Sequence, residues 1–303
     1  MAGLTSLFDP DSATWFGTAY ARGDVQGAHA YAYNGLEGVV AAVDQAVREG
    51  CPVVGCWRPT SRTDIEDTGQ AFAAMTRASG WIPQIAIVLE RLQGTDAYGP
   101  ALSDVVISND PEIADVLVTA EPDAVRTARQ VVDLLGRQGT FNPVPNGGPS
   151  LFDAGPLHLG ASHALRTSLG RLGGRTVGVA EQSGPLDATA VEKGARFVRM
   201  CDAFGIPLIA VAGAQDTGGE VRDGAKLLHA FAESVVPRIT LVTGTANVTM
   251  NARSLGATRV FAWPGARHDG VDAVVEPHDT RRVLVDAFAQ APVRRGHHRN
   301  IPL

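Results

Sequence analysis

Gly50-Cys51-Pro52-Val53-Val54-Gly55 opens a motif that continues through a helical segment to Ile82-Pro83-Gln84-Ile85-Ala86-Ile87-Val88 and closes on Gly94-Thr95. The chain then writes it again. Gly205-Ile206-Pro207-Leu208-Ile209-Ala210-Val211 leads through a second helical segment to Val236-Pro237-Arg238-Ile239-Thr240-Leu241-Val242 and Gly244-Thr245. Pro52 and Pro83 are 31 residues apart, and Pro207 and Pro237 are 30 apart. A structural unit used twice implies two similar half-molecules. A Gly pair after a buried strand is a place where each half can offer backbone N–H groups to a ligand.

Working outward, strands alternate with helical patterns of ten or more residues, which makes the chain α/β. Ala28–Tyr33 reads as a strand, and residues 1–24 lead into an edge. Leu36–Arg48 carries Val39, Val40, Val43 and Val47 on one helical face and stops at Glu49-Gly50. Helices are expected over Gly69–Ala78 and Glu121–Leu135, with a strand at Val105–Ser108. His158–Leu172 reads as helical, Arg175–Ala180 as a strand and Val191–Phe204 as a strong helix. Helix Ala225–Ser234, a helix through Met250, strand Val260–Trp263 and helix Arg281–Ala289 complete the second half. The stretch 139–155 holds Pro143, Pro145 and Pro149 with little periodicity, which predicts a linker. The expected division is therefore 1–138, a linker at 139–156, and 157–303.

At 303 residues the chain fits two domains of about 150 residues each. The net charge of −6 and dispersed basic residues argue against a nucleic-acid groove. Cys51, Cys56 and Cys201 are the only cysteines and read as buried, reduced thiols. No apolar run reaches membrane-spanning length and no signal peptide opens the chain, so a cytoplasmic protein without membrane attachment is expected. The eight histidines have no metal-ligand or Ser–His–Asp spacing, and neither a P-loop nor a dinucleotide fingerprint occurs. No metal is expected.

Longer motifs carry a family resemblance. Gly184-Pro185-Leu186-Asp187 and Lys193-Gly194-Ala195-Arg196-Phe197-Val198-Arg199-Met200-Cys201-Asp202-Ala203-Phe204-Gly205-Ile206-Pro207-Leu208 resemble the C-terminal domain of acyl-CoA carboxylase β subunits, the biotin-dependent carboxyltransferases. Gly224-Ala225-Lys226-Leu227-Leu228, Ala262-Trp263-Pro264 and the ending Asn300-Ile301-Pro302-Leu303 are similar to the same family. So are Ala78-Ser79-Gly80-Trp81-Ile82-Pro83 and Tyr98-Gly99-Pro100-Ala101-Leu102-Ser103-Asp104 in the first half. The resemblance runs from about residue 16 to the end. It implies two tandem crotonase-like ββα superhelix domains, a CoA thioester held by the first, biotin met by the second, and a site built across subunits of a homo-oligomer, hexamer or dimer. It also implies a pair of backbone donors in each half, for the thioester enolate and for the biotin ureido oxygen. Such donors stabilise charge developing on oxygen in a dry site.

The resemblance places those donors at Gly94 and Thr95, and at Gly244 and Thr245 with Ala246 behind. Family glycines are replaced by threonine in both pairs; threonine keeps its N–H but adds a β-branched side chain. The Thr hydroxyls either reach an oxygen or cap the next helix. The family's glycine-rich loop falls on Trp57-Arg58-Pro59-Thr60-Ser61-Arg62-Thr63-Asp64, which holds no glycine. Arg58 and Arg62 there are candidates for a phosphate or substrate carboxylate, or are plain solvated charges. Asp96 is a candidate base or substrate contact, or a helix N-terminal charge. Asn247 either orients a carboxylate or caps a helix. The long second-half loop of the family shrinks to Ala212-Gly213-Ala214-Gln215-Asp216-Thr217-Gly218-Gly219, which weighs against biotin.

The expected function is enolate stabilisation during addition or removal of CO2 next to a carbonyl, drifted from biotin-dependent carboxylation, with decarboxylation one outcome. The substrate is a small acyl compound: CoA-linked, carrier-linked or a free acid. The alternative is a non-catalytic assembly subunit that partners an active paralogue.

Overall fold

The structure, a computed structural model, describes residues 2–60, 64–147, 150–214, 221–251, 253–300 and 302. Its contacts divide into two units, residues 1–137 with 298–303, and residues 138–297.

In the first unit a short helix, α1 (Ala2–Thr5), precedes strands β1 (Thr14–Phe16), β2 (Tyr20–Val25) and β3 (Ala28–Asn34). Helix α2 (Val39–Glu49) leads to β4 (Val53–Trp57), α3 (Ile65–Ala78) and β5 (Gln84–Val88). Then come α4 (Tyr98–Ala101), β6 (Val105–Ser108), β7 (Val116–Leu117) and α5 (Glu121–Gly136). The sheet order is β1-β2-β3-β4-β5-β6-β7, antiparallel through β3 and parallel from there on. The second unit repeats the scheme with β8 (Leu157–Ala161), β9 (Leu165–Leu172), β10 (Arg175–Gln182), α6 (Ala188–Phe204) and β11 (Leu208–Ala212). It ends with α7 (Val221–Glu233), β12 (Arg238–Val242), α8 (Val248–Asn251), β13 (Arg259–Ala262), β14 (Ala273–Val274) and α9 (Thr280–Ala289). Its strands run in the order β14-β13-β12-β11-β10-β9-β8, again antiparallel as far as β10 and parallel beyond. These are two tandem crotonase-like units.

The repeat has a local cause. Gly50 ends α2 at φ 66° and Gly205 ends α6 at φ 70°, left-handed positions where a side chain would be strained. Two residues on, a proline blocks further helix and turns the chain into a strand. The prolines then serve as acceptors. Pro52 and Pro207 carbonyls take the N–H of Tyr31 at 3.0 Å and of Gly178 at 2.9 Å, while Pro83 and Pro237 take those of Val53 and Leu208, both at 2.9 Å. Each strand is thereby registered on its neighbour before the ladder proper begins. In the first unit α2 and α3 bury Val39, Val43, Ala71 and Met75 against Val53, Trp57 and Val88. In the second, Leu284, Val285 and Phe288 of α9 cover Ile209, Ile239 and Phe261. Burying one such side chain is worth about 1.5–3 kcal/mol.

Two sequence expectations are revised. His158–Leu172 is not helical but a hairpin, β8 with β9. Leu165, Leu169 and Leu172 mimic a helical stripe, yet β9 is buried on both faces, so strand alternation is hidden. Its polar groups are satisfied across the hairpin: His158 Nδ1 lies 2.8 Å from Ser168 Oγ, and the Thr167 hydroxyl donates to the Leu159 carbonyl. The stretch 139–156 falls within the second unit. Phe141 stacks on Phe288 at 5.3 Å between ring centroids, and the Asn142 N–H donates to Gly173 O at 2.8 Å.

All three cysteines are free, with Cys51 and Cys201 buried and Cys56 partly so. Burial pushes the Cys51 thiol up to about 11. Among the described residues no helix is long and apolar enough to cross a membrane, and no group of three or more His, Cys, Asp or Glu side chains could hold a metal ion.

Candidate functional site

In the first unit the chain leaves β5 in extended form, and Gln93 sits at φ −138° and ψ 152°. Gly94 then turns to φ 58° and opens a 3₁₀ turn, Gly94–Ala97, that runs directly into α4. Amides at the start of a helical turn have no acceptor within it. Among the described residues none is bonded to the N–H of Gly94 or of Thr95, and both residues are exposed. A Cβ built on Gly94 would meet nothing within 4 Å, so its glycine serves the backbone angle rather than a close approach. The Thr95 hydroxyl caps nothing among the described residues. What fixes the turn is Trp57: the indole lies against the α carbon of Gly99, where a Cβ would come within 2.1 Å of the ring. Trp57 is 2% exposed and meets Tyr33 edge-on at 5.8 Å, so the support is rigid.

Asp96 does not point away from the protein as a base would. Its Oδ2 accepts the Thr60 N–H at 2.9 Å and its Oδ1 accepts the Thr60 hydroxyl at 2.7 Å. The carboxylate ties the segment after β4 to the turn that carries Gly94. Arg58 is exposed on that segment and lines a cavity of about 110 Å³ with Asn34, Cys56, Ile87, Glu90 and Glu121. Burial pushes the Cys56 thiol up, against the pull of the Arg58 guanidinium. This cavity lies outside the carboxyl ends of β3, β4 and β5, the usual place for a ligand in a parallel sheet. Arg62 lies outside the described residues.

The second unit treats its pair differently. Gly244 N–H donates to Ala212 O at 3.2 Å, and its α carbon abuts the Gly213 carbonyl, where a Cβ would sit 2.1 Å from the oxygen. Ala246 N–H donates to Arg267 O at 2.7 Å, and Arg267 N–H returns to Gly244 O at 2.7 Å. Thr245 thus sits in a one-residue bridge with Arg267, and its own N–H is the one donor of the three without a bonded acceptor among the described residues. Asn247 is a cap and a brace rather than a carboxylate binder. Its Oδ1 accepts the Met250 N–H at 3.0 Å, and its Nδ2 donates to Gln182 Oε1 at 2.6 Å and Ala214 O at 3.1 Å. A biotin ureido oxygen needs converging donors, and this arrangement does not fit one: two of the three expected amides are already spent.

Sequence reasoning missed Arg267, which closes the second pair, and the cavity neighbours Asn34, Glu90 and Glu121. Arg267 follows Trp263-Pro264-Gly265, whose turn signal was readable, but nothing in the sequence reveals which backbone that turn meets.

Comparison with known proteins agrees with this geometry at the level of family. The model for the carboxyl transferase domain matches residues 22–148 and 160–300. The biotin-dependent acetyl-/propionyl-coenzyme A carboxylase beta6 subunit of Mycobacterium tuberculosis is 33% identical over 452 aligned positions, which take in 99% of this chain and 96% of that one. With 303 residues here, the relative carries long stretches that this chain lacks. The propionyl-CoA carboxylase beta chain of Rhodococcus erythropolis is also 33% identical, covering 95% of this chain and 85% of its own. Among solved structures, the transcarboxylase 12S chain with methylmalonyl-coenzyme A bound superposes with a TM-score of 0.83 at 22% identity, over 100% of this chain and 92% of that one. This chain belongs to the carboxyl transferase domain family.

Proposed function

We propose that this chain acts on an acyl thioester, holding the enolate that forms when CO2 is added or removed at the carbon next to the carbonyl. The observation that carries the reading is the pair of exposed N–H groups at Gly94 and Thr95, presented by a turn that Trp57 and Asp96 hold in place. In decarboxylation the carboxylate–carbon bond breaks, its electron pair moves to the thioester oxygen, CO2 leaves, and the enolate carbon takes a proton from water. Fixed amides lower the barrier because they face the oxygen only as it becomes negative. Each such donor is worth about 2.7–4 kcal/mol in comparable sites. Arg58, on the lining of the cavity at the ends of β3, β4 and β5, supplies a positive charge that can anchor a substrate phosphate. The CoA thioesters in the names of the relatives make a CoA-linked acyl group the first substrate to test.

The committed amides of Gly244 and Ala246 favour the biotin-independent direction, decarboxylation, over carboxyl transfer from biotin. They also support a second reading, an assembly subunit beside an active paralogue. A homo-oligomer is part of the proposal, since the transcarboxylase 12S relative is described as a hexamer.

Incubation with malonyl- and methylmalonyl-CoA, with and without biotin, scored by mass spectrometry, separates these readings. The proposal expects loss of CO2 from one of the two thioesters, unchanged by biotin. No product from either, with the chain co-purifying with an active carboxyltransferase, establishes the assembly role instead.

A further inference from the structure

At the opposite end of the second unit's strands from Gly244 lies a cavity of about 250 Å³. Its floor is Pro207 and Pro237, which precede β11 and β12, and its walls are Phe141, Phe288 and Pro292. Each strand is five residues long, about 16 Å at about 3.3 Å per residue, so the cavity and Gly244 are separated by at least that length. The wall is rigid, because Phe141 and Phe288 stack with ring planes 8° apart. Val293, 80% exposed, stands at the mouth.

Among the described residues, the lining of this apolar hollow includes two arginines and no acid. Arg175 lies with its guanidinium carbon 5.6 Å from the Phe141 ring centroid. Its Nη1 donates to Gly139 O at 3.1 Å and its Nη2 to Gly205 O at 3.3 Å, while its Nε is buried with no partner among the described residues. A guanidinium has five N–H donors, and the two in use here meet only neutral carbonyls. Burial already pulls the Arg175 pKa below its usual range, a sign that the charge is poorly solvated. Arg294, on the same lining, has no carboxylate partner among the described residues. A guanidinium partly withdrawn from water, as that of Arg175 is, is ordinarily paired with an acid; among the described residues the lining contains none, and Arg294, which is exposed, adds a second cation at its edge.

We infer that this cavity is a binding site for a small organic carboxylate with an apolar body, its carboxylate held by Arg175 and Arg294 and its body lodged against Phe141, Phe288 and the prolines. Size selects the class. About 250 Å³ falls just below the range of pockets that enclose drug-sized ligands, enough for a short-chain acid and far too small for a CoA thioester. Chemistry selects the charge. A guanidinium pairs with a carboxylate through two parallel hydrogen bonds, and an inorganic anion would leave the apolar wall without a partner. Carbon on that wall and oxygen on the arginines are satisfied together only by an amphiphilic acid.

Isothermal titration of the full chain tests this with three probes: hexanoate, its neutral isostere hexanamide, and inorganic phosphate. Saturable hexanoate binding is expected, at least about tenfold tighter than hexanamide, with phosphate failing to displace it. Arg175→Met is expected to weaken hexanoate about tenfold and Arg294→Ala about threefold, with melting curves close to the parent's. Should Arg175→Met fail to fold, Arg294→Ala and the hexanoate–hexanamide comparison on the parent decide the matter. Equal binding of hexanoate and hexanamide overturns the role of the arginines. Phosphate competing on equal terms overturns the organic-acid assignment, and no saturable hexanoate binding up to about 20 mM overturns the site itself.

Discussion

Asp96 grips Thr60 twice, by hydroxyl at 2.7 Å and by backbone N–H at 2.9 Å, and so couples the segment after β4 to the turn that presents Gly94 and Thr95. Both carboxylate oxygens are occupied. Asp96 is therefore a positioning residue. Asp96→Ala should cost about 1 kcal/mol of stability, the net worth of an ordinary hydrogen bond, and raise proteolytic cutting at Arg58, just before Thr60. The pH–rate profile should keep its shape; loss of a limb would reveal a base after all.

The glycine at position 80 meets the returning C-terminal segment. A Cβ there would lie 2.0 Å from the carbonyl oxygen of His298, and Gly80 sits at φ 75°. Nearby, Asn300 N–H donates to Ser79 Oγ at 3.0 Å and its Nδ2 to Asp104 Oδ1 at 2.5 Å. Gly80→Ala should cost about 1–3 kcal/mol from overpacking, plus about 1–2 kcal/mol from the left-handed backbone. Carboxypeptidase digestion should then shorten the chain faster than in the parent. An unchanged digestion rate would show that the tail is held elsewhere.

Asp153 gives the pH dependence a sign. Burial pushes its carboxyl up, but the N–H groups of Gly174 and Gly173 and the Arg281 guanidinium outweigh that and hold it below the usual 3.8. The unfolded chain consequently binds the extra proton first as acid is added. Its stabilisation is complete above the unfolded value near 3.8 and is lost as pH falls through the lower folded value. Asp153→Asn should narrow the difference between neutral and acid melting temperatures, and the gap between the two proteins should close only as pH falls below the carboxyl's lowered folded value. A constant gap at every pH would contradict the assignment.

The duplicated fold was legible because its signals are local. Gly50 with Pro52, and Gly205 with Pro207, read directly as helix stop and strand start. The depth of the repeat was not. Val106 N–H donates to Asp115 Oδ2 at 2.8 Å, and Val260 N–H donates to Asp272 Oδ2 at 2.7 Å, so equivalent strands β6 and β13 are closed by the same long-range acid. No spacing rule shows a side chain folding back on a strand nine or twelve residues earlier. The hairpin of β8 and β9 was misread because burial on both faces erases the period of two. At the candidate site the Gly–Thr pairs were visible in the sequence, and the first of them opens the 3₁₀ turn Gly94–Ala97. The divergence of the second pair was invisible, since it depends on Arg267 arriving from another loop.

In the proposed reaction the main-chain N–H of Thr95 stabilises a negative thioester oxygen. Thr95→Pro removes that N–H together with the side-chain hydroxyl, at a position in the first helical turn where proline is tolerated. Thr95→Val loses the hydroxyl but keeps the N–H and should stay near the parent, and Thr95→Ser keeps both. With malonyl- or methylmalonyl-CoA, whichever the parent turns over, kcat should fall about 10²–10³-fold in Thr95→Pro, with little change in Thr95→Ser and matching melting curves. A Thr95→Pro protein that folds and turns over at the parent's rate would contradict the claim.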